Sequence, residues 1–482
     1  MKSSTTWLVA AAIGCLTGVS VAAQETNRLL LTNATIVSLV EGEAEPFDGY
    51  IVVDGDGRIS SIGRDDPPSD IEATLVFDAD GQVAMPGFVS GHNHLRGSVS
   101  RGIASDQYVT PWVERSQWHL QSDRLDAGDL YHYSLHGALD MLRGGVTTVY
   151  NYTNGVSGVP AEVYFEQLEA EFAAGGHFVF GYAPARDSGR SQKAVFGEVR
   201  WYLNHVAKHP RSSLLLRSSI ASVAATSESK AEAAVEFAVL KAFPEFGKRM
   251  QLHYSSMPIR EQQTASFDRF QEHGVLGPNL AFAHFVHPSE RMLRESAAAS
   301  VAMIWCPLSN GRLGNGMADV PRYLEMGMTV GMGLDGQGSA DIADPFENMR
   351  MGLYGLRFRD ADPRGLQPLD MLRLHTIGTA KAIGVDDLVG TLEVGKLGDI
   401  ILVDPRWPDT GPIVDLYATL VLAADRMNVS NVFVAGDHVM RHGKHASIDM
   451  KEVTDEVLRR VASKSPAMLT SAGHPTAQRS AN

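Results

Sequence analysis

The run Met85-Pro86-Gly87-Phe88-Val89-Ser90-Gly91-His92-Asn93-His94 decides how the rest of the chain is read. It is apolar and ends in two histidines separated by one residue. In a β-strand, residues two apart share a face, so His92 and His94 point the same way. Two imidazoles side by side at a strand end are half of a metal site. Gly91 and Asn93 suit a turn equally well, and a turn would leave only a pair of surface histidines. The choice depends on what lies farther along.

Seven more short apolar stretches follow: Val146–Tyr152, Phe178–Ala183, Leu214–Ile220, Met250–His253, Leu280–His284, Val301–Cys306 and Thr329–Leu334. Helix-like segments separate them, among them Ala127–Leu142, Ala161–Ala174, Ala231–Phe243 and Glu261–His273. Val163, Leu168 and Phe172 recur near helical spacing within the second of these. Eight strands alternating with helices predict an α/β fold, a (β/α)8 TIM-like barrel over residues 85–385. No Gly-rich phosphate loop follows the first strand, which disfavours an open doubly wound sheet.

Both flanks of the barrel read as β-structure. Leu29–Ile36, Tyr50–Val53, Ile59–Ile62 and Leu75–Asp78 alternate, with a hairpin signal at Gly55-Asp56-Gly57. Asp399–Asp404 and Val429–Val439 match them downstream. Residues 24–84 and 386–449 are therefore expected to form one small β-sandwich domain, with the barrel as an insertion. Residues 450–482 read as a C-terminal helix and a disordered tail.

Residues 1–23 look like a secretory signal peptide: Lys2, an apolar stretch from Trp7 to Val21, then small residues at Val21-Ala22-Ala23. The run is too short for a comfortable membrane span. A lipoprotein anchored at Cys15 is the weaker alternative, because apolar sequence continues past it. Export to the periplasm or beyond is expected. Only Cys306 would then remain, so no internal disulfide can form. Lys and Arg total 42 against 56 Asp and Glu, a formal net charge of −14. Such a chain offers no basic footprint for nucleic acid. A small molecule is the expected partner, and self-association into a homo-oligomer stays open.

In a barrel of this kind, functional residues sit where strands end. His92 and His94 follow the first strand, His253 ends the fifth, His284 the sixth, and Asp335 the eighth, in Gly333-Leu334-Asp335-Gly336. Each alone has a structural explanation. Together, at one end of the barrel, they predict a metal site. Three imidazoles and a carboxylate suit one divalent ion, Zn²⁺ first, with Fe²⁺ or Mn²⁺ as alternatives. A bound ion would lower the pKa of its water towards neutral. Asp335 could then carry the proton to the leaving group, while His284 polarises the substrate or serves as a further ligand. A second metal would need a bridging anion near the end of the fourth strand. Residues 214–226 contain no Lys, Asp or Glu, so one ion is expected.

These motifs resemble the amidohydrolase superfamily, in the branch of cytosine and guanine deaminases and triazine hydrolases. The resemblance covers nearly all of the mature chain. It is carried by Pro86-Gly87-Phe88 leading into His92-Asn93-His94 and then Arg101-Gly102. Gly144-Gly145-Val146-Thr147-Thr148, Cys306-Pro307-Leu308-Ser309-Asn310 and Gly390–Asp399 add to it. It implies metal ligands at His92, His94, His253 and Asp335, with His284 beside the reacting atoms. It also exposes a departure. Deaminases of this branch carry a glutamate three residues after the fifth-strand histidine, and this chain has Ser256. A hydroxyl cannot replace a carboxylic acid near neutral pH. Hydrolysis of an amide or another C–N bond remains compatible. An aminohydrolase or dehalogenase acting on a heteroaromatic ring is the alternative enzyme, and an inactive metal-binding protein the non-enzymatic one.

Tyr108, Trp112 and Trp118, after the first strand, could line a pocket or merely pin their loop. Arg186 with Asp187, Arg312 and Ser256 are further candidate substrate contacts, the arginines equally suited to loop salt bridges.

Overall fold

The computed structural model describes residues 27–43, 45–117, 125–153, 159–184, 189–222, 230–246, 249–258 and 260–464. The expected signal peptide, Trp118, Arg186, Asp187 and the C-terminal tail lie outside them.

Eight parallel strands form the barrel: β1 (Phe88–Asn93), β2 (Val146–Tyr152), β3 (His177–Tyr182), β4 (Leu215–Ile220), β5 (Met250–Tyr254), β6 (Leu280–His284), β7 (Ala302–Trp305) and β8 (Val330–Met332). They hydrogen bond as two sets of four, β1–β4 and β5–β8. A few hydrogen bonds close the seams. Ala221 bridges Gln251, beside a Ser222 N–H that donates to the Gln251 carbonyl at 2.9 Å. Opposite, Asp335 N–H donates to the His92 carbonyl at 3.0 Å and Leu334 N–H to Ser90 Oγ at 3.1 Å. The second seam therefore joins two site residues directly. β1, β2, β3 and β6 are buried at every position, as strands covered on both faces must be.

The terminal segments meet in one nine-stranded sheet. It branches at Asn27–Ile36. One edge of that strand pairs with Phe47–Val53; the other pairs first with Ala73–Asp78 and then with Val83–Pro86. Val83–Pro86 also pairs antiparallel with Ile400–Val403, which ties the chain's two flanks together.

The opening stretch does not run as one strand. Met85 and Pro86 belong to this sheet, Phe88 begins the barrel, and Gly87 is the joint. A Cβ at Gly87 would collide with the Thr147 side chain, so no larger residue fits the crossing. The expected helix over Ala161–Ala174 is likewise two pieces, Ala161–Tyr164 and Glu166–Ala174, broken at Phe165, where ψ rises to −2°. A last helix, Met450–Lys464, buries Val453, Val457 and Val461 at four-residue spacing.

Candidate metal centre

The first two site residues are placed by pleat. His92 lies in β1 and is fully buried; His94 follows one residue past its end. Gly333, one residue past β8, makes room: a Cβ there would stand 2.9 Å from the His92 Cβ. His253 lies in β5 and His284 closes β6. His284 has φ +74° and Phe285 φ +42°, so the strand stops by turning left-handed. Asp335 also sits at φ +57°. Non-glycine residues held there are uncommon and gather at functional sites.

These turns bring five side chains together. His253 Nε2 lies 3.1 Å from both His92 Nε2 and His94 Nε2. Asp335 Oδ1 is 3.6 Å from His92 Nε2 and 3.3 Å from His94 Nε2. Donor atoms placed tetrahedrally about zinc stand roughly 3.3 Å apart. His284 Nε2 is 3.8 Å from Asp335 Oδ2, and shares a second compact group with His92 and Asp335.

Hydrogen bonds behind the rings decide which nitrogens are free. Gln251 Nε2 donates to the Gly91 carbonyl at 2.7 Å, which turns its Oε1 towards His92 Nδ1 at 2.5 Å. His92 must therefore donate from Nδ1 and keep a lone pair on Nε2. His94 Nδ1 donates to the Tyr152 carbonyl at 2.8 Å, with the same result. Two lone pairs then point into one space shared with His253 and a carboxylate. That arrangement repels without a cation and fits one with it. The ring of Tyr152 wedges the imidazoles from behind, 4.6 Å from His253 and 5.4 Å from His92 and His94 between centroids.

Burial, with the neighbouring imidazoles, lowers His92 to about 3 and pushes His253 well below the usual imidazole value. Burial also lowers His94. For Asp335, burial acts upward, but His284 and the three other imidazoles prevail and hold it below the usual carboxylate range. Neutral imidazoles and an ionised carboxylate are the ligand forms a divalent ion requires.

The centre opens into a cavity of ≈ 430 Å³, lined in part by His94, His253, His284 and Asp335, a size suited to a small molecule. Ser256 and Trp112 are also on its wall. Arg312 is not. Its guanidinium pairs with Asp341 at 2.8 Å, donates to the Ile103 carbonyl at 2.8 Å and lies 5.9 Å from the Trp112 ring. It supports the loop that carries Trp112. Tyr108 is exposed.

Three residues of this site escaped the sequence reading. Gln251 and Tyr152 orient ligands, and Arg96 forms part of the cavity wall. Gln251 had a signal: it lies two residues before His253 and so shares that face of β5. Arg96 had a weaker one, a lone arginine two residues after His94 in an otherwise uncharged stretch. Burial lowers its guanidinium to about 10, which leaves it charged at neutral pH.

The amidohydrolase family model matches residues 83–439. That span holds the whole barrel and every ligand. The chain belongs to the amidohydrolase family.

Relatives of this amidohydrolase include a 5-methylthioadenosine/S-adenosylhomocysteine deaminase of Desulforudis audaxviator, 30% identical, with 90% of this chain and 98% of that protein covered. The protein of the same description from Desulforamulus reducens is 27% identical over 90% of this chain and 99% of its own. Among solved structures, an adenosine deaminase from Xanthomonas campestris with bound zinc superposes with a TM-score of 0.80. It is 21% identical and covers 91% of this chain and 99% of its own. An atrazine chlorohydrolase from Arthrobacter aurescens TC1 complexed with zinc gives 0.74 at 22% identity, covering 90% of this chain and all of its own. The expected barrel with its terminal sheet domain is thus the architecture of these proteins. This amidohydrolase is a metal-dependent hydrolase of carbon–nitrogen bonds other than peptide bonds.

Proposed function

We propose that this amidohydrolase hydrolyses an amide, or a comparable C–N bond, of a small molecule, using one zinc ion held by His92, His94, His253 and Asp335. One observation supports the choice of bond. Among the described residues lining the cavity, Asp335 is the only carboxylate, and Ser256 takes the place of the glutamate found in ring deaminases of the resembling branch. A ring nitrogen would therefore have no carboxylic acid to protonate it. An amide needs only one proton, delivered to its departing nitrogen.

When bound, the ion supplies a water acidified towards neutrality. Asp335 would accept a proton on its carboxylate and return it to the leaving nitrogen. His284 acts on the substrate oxygen as an Nε2–H donor when the Asn310 side-chain amide, 3.0 Å from its Nδ1, turns its otherwise unpartnered Nδ2–H to the ring. Zinc-reconstituted protein should release a carboxylic acid and an amine from a panel of small amides, identified by mass spectrometry.

A second reading, removal of an amino group or halogen from a heteroaromatic ring, is favoured by the names of the relatives. Ammonia release from purines, pyrimidines or triazines with no turnover of amides would replace the first reading by this one.

Export is inferred from residues 1–23 alone. Cell fractionation should find the processed chain outside the cytoplasm; an unprocessed cytoplasmic chain would reverse that.

A further inference from the structure

Arg96 stands in the helical turn Leu95–Ser100 that leads away from His94. It is only 4% exposed, yet it forms part of the wall of the metal-centre cavity. Its Nη1 has no hydrogen-bond partner, and no carboxylate pairs with it among the described residues. Its polar neighbour is Tyr164, whose hydroxyl already bonds Thr153 Oγ1 and accepts from the Ala183 N–H at 3.0 Å. Three partly covered arginines hold carboxylates, Arg190 with Glu198 at 2.6 Å, Arg312 with Asp341 at 2.8 Å and Arg460 with Asp129 at 3.2 Å, whereas Arg96 is buried most deeply of the described arginines. A charge taken out of water without a partner is costly. Trp112 adds a second unpartnered donor on the same wall, since its buried Nε1–H also lacks an acceptor among the described residues. Asp335, the only carboxylate there among the described residues, is drawn into the imidazole cluster.

We propose that Arg96 recognises a carboxylate on the substrate, so that the molecule hydrolysed is an anion carrying its scissile C–N bond near that group. The identity of the bond rests on the function proposed above; recognition of the carboxylate does not. A monoanion fits better than a phosphate, because one guanidinium must balance it close to the Asp335 charge. Trp112 Nε1–H supplies a second donor to the same group or to an adjacent oxygen.

The test compares N-benzoylglycine with its carboxamide, N-benzoylglycinamide, on zinc-reconstituted full-length protein by titration calorimetry. The carboxylate should bind about 10- to 100-fold more tightly, as a charge-assisted pair does. Arg96→Met should erase the difference with zinc content unchanged, and Arg96→Lys should keep part of it. Equal affinity of the wild-type protein for the two probes overturns the proposal, even if Arg96→Met does not fold. A preference that survives Arg96→Met also overturns it, because the carboxylate would then be binding the metal. Turnover of neutral and anionic amides at equal KM removes this inference and leaves the amide reading standing. A carboxylate preference that depends on Arg96, without amide turnover, does the reverse.

Discussion

Gln251 is buried without charge, and its two hydrogen bonds give His92 its tautomer. Gln251→Leu keeps the volume and removes both bonds, so His92 can rotate or carry its proton on the wrong nitrogen. Zinc affinity should fall about 10- to 100-fold, measured by competition with a chromogenic chelator. Unchanged affinity would mean that packing against Tyr152 alone orients the ring. Asp335 has two roles, ligand and proton carrier, and Asp335→Asn separates them. The amide oxygen still faces His92 and His94, but it cannot take a proton. Turnover should drop by roughly 10²–10⁴, while zinc content falls less than in His92→Ala. Equal zinc loss in the two variants would make Asp335 chiefly a ligand.

At the level of elements, the turn Leu374–Gly378 ties the outer layer to β1. Its His375 is fully buried, with Nδ1 donating to the Val89 carbonyl at 3.1 Å and Nε2 accepting from Asn348 Nδ2 at 3.2 Å. Asn348 Nδ2 also donates to the Gly333 carbonyl at 3.1 Å, so this contact braces the β8–β1 seam. Burial lowers His375 to about 4 from the usual 6.5. The unfolded chain therefore binds the proton first as pH falls. The contribution of neutral His375 is complete above about 6.5, declines below it and is gone below about 4. Its full size is on the order of 3 kcal/mol. Denaturant melts of the zinc-loaded protein between pH 7 and 4.5 should show this loss, and His375→Gln should flatten the slope over that window. An identical slope in the variant would assign the acid sensitivity to other groups.

Across the whole molecule, the chain's last described helix locks the barrel's first long helix. Asp129 in Ala127–Arg143 has no exposed side-chain surface and pairs with both Arg460 and Lys464. Replacing both cations by Met leaves that carboxylate only the Asp126 N–H at 2.9 Å, which should lower Tm; adding Asp129→Asn should recover part of the loss. No recovery would place the stabilisation in the packing of Val453, Val457 and Val461 instead. The metal acts at this scale as well. One divalent ion per chain is expected, and chelation should lower Tm, because an ion present at 100 times its Kd adds about 2.7 kcal/mol. A reproducible content of two would show a second site that the cluster of His92, His94, His253, His284 and Asp335 does not account for.

Much of this was legible in the sequence, because its carriers are local. The two-residue period places His92 and His94 on one side, and apolar runs of strand length alternate with helical ones. Histidines at strand ends then report a site, since a parallel barrel gathers those ends on one face. The absence of a glutamate at Ser256 is equally local. What only the tertiary structure decided is pairing. Gln251 meets His92 across 159 residues of chain, and Arg312 is diverted to Asp341 and away from the cavity. Arg96 is left beside the metal centre without a partner among the described residues. A side chain's proton and charge balance depend on which distant groups packing brings within about 3 Å, and neither composition nor period encodes that.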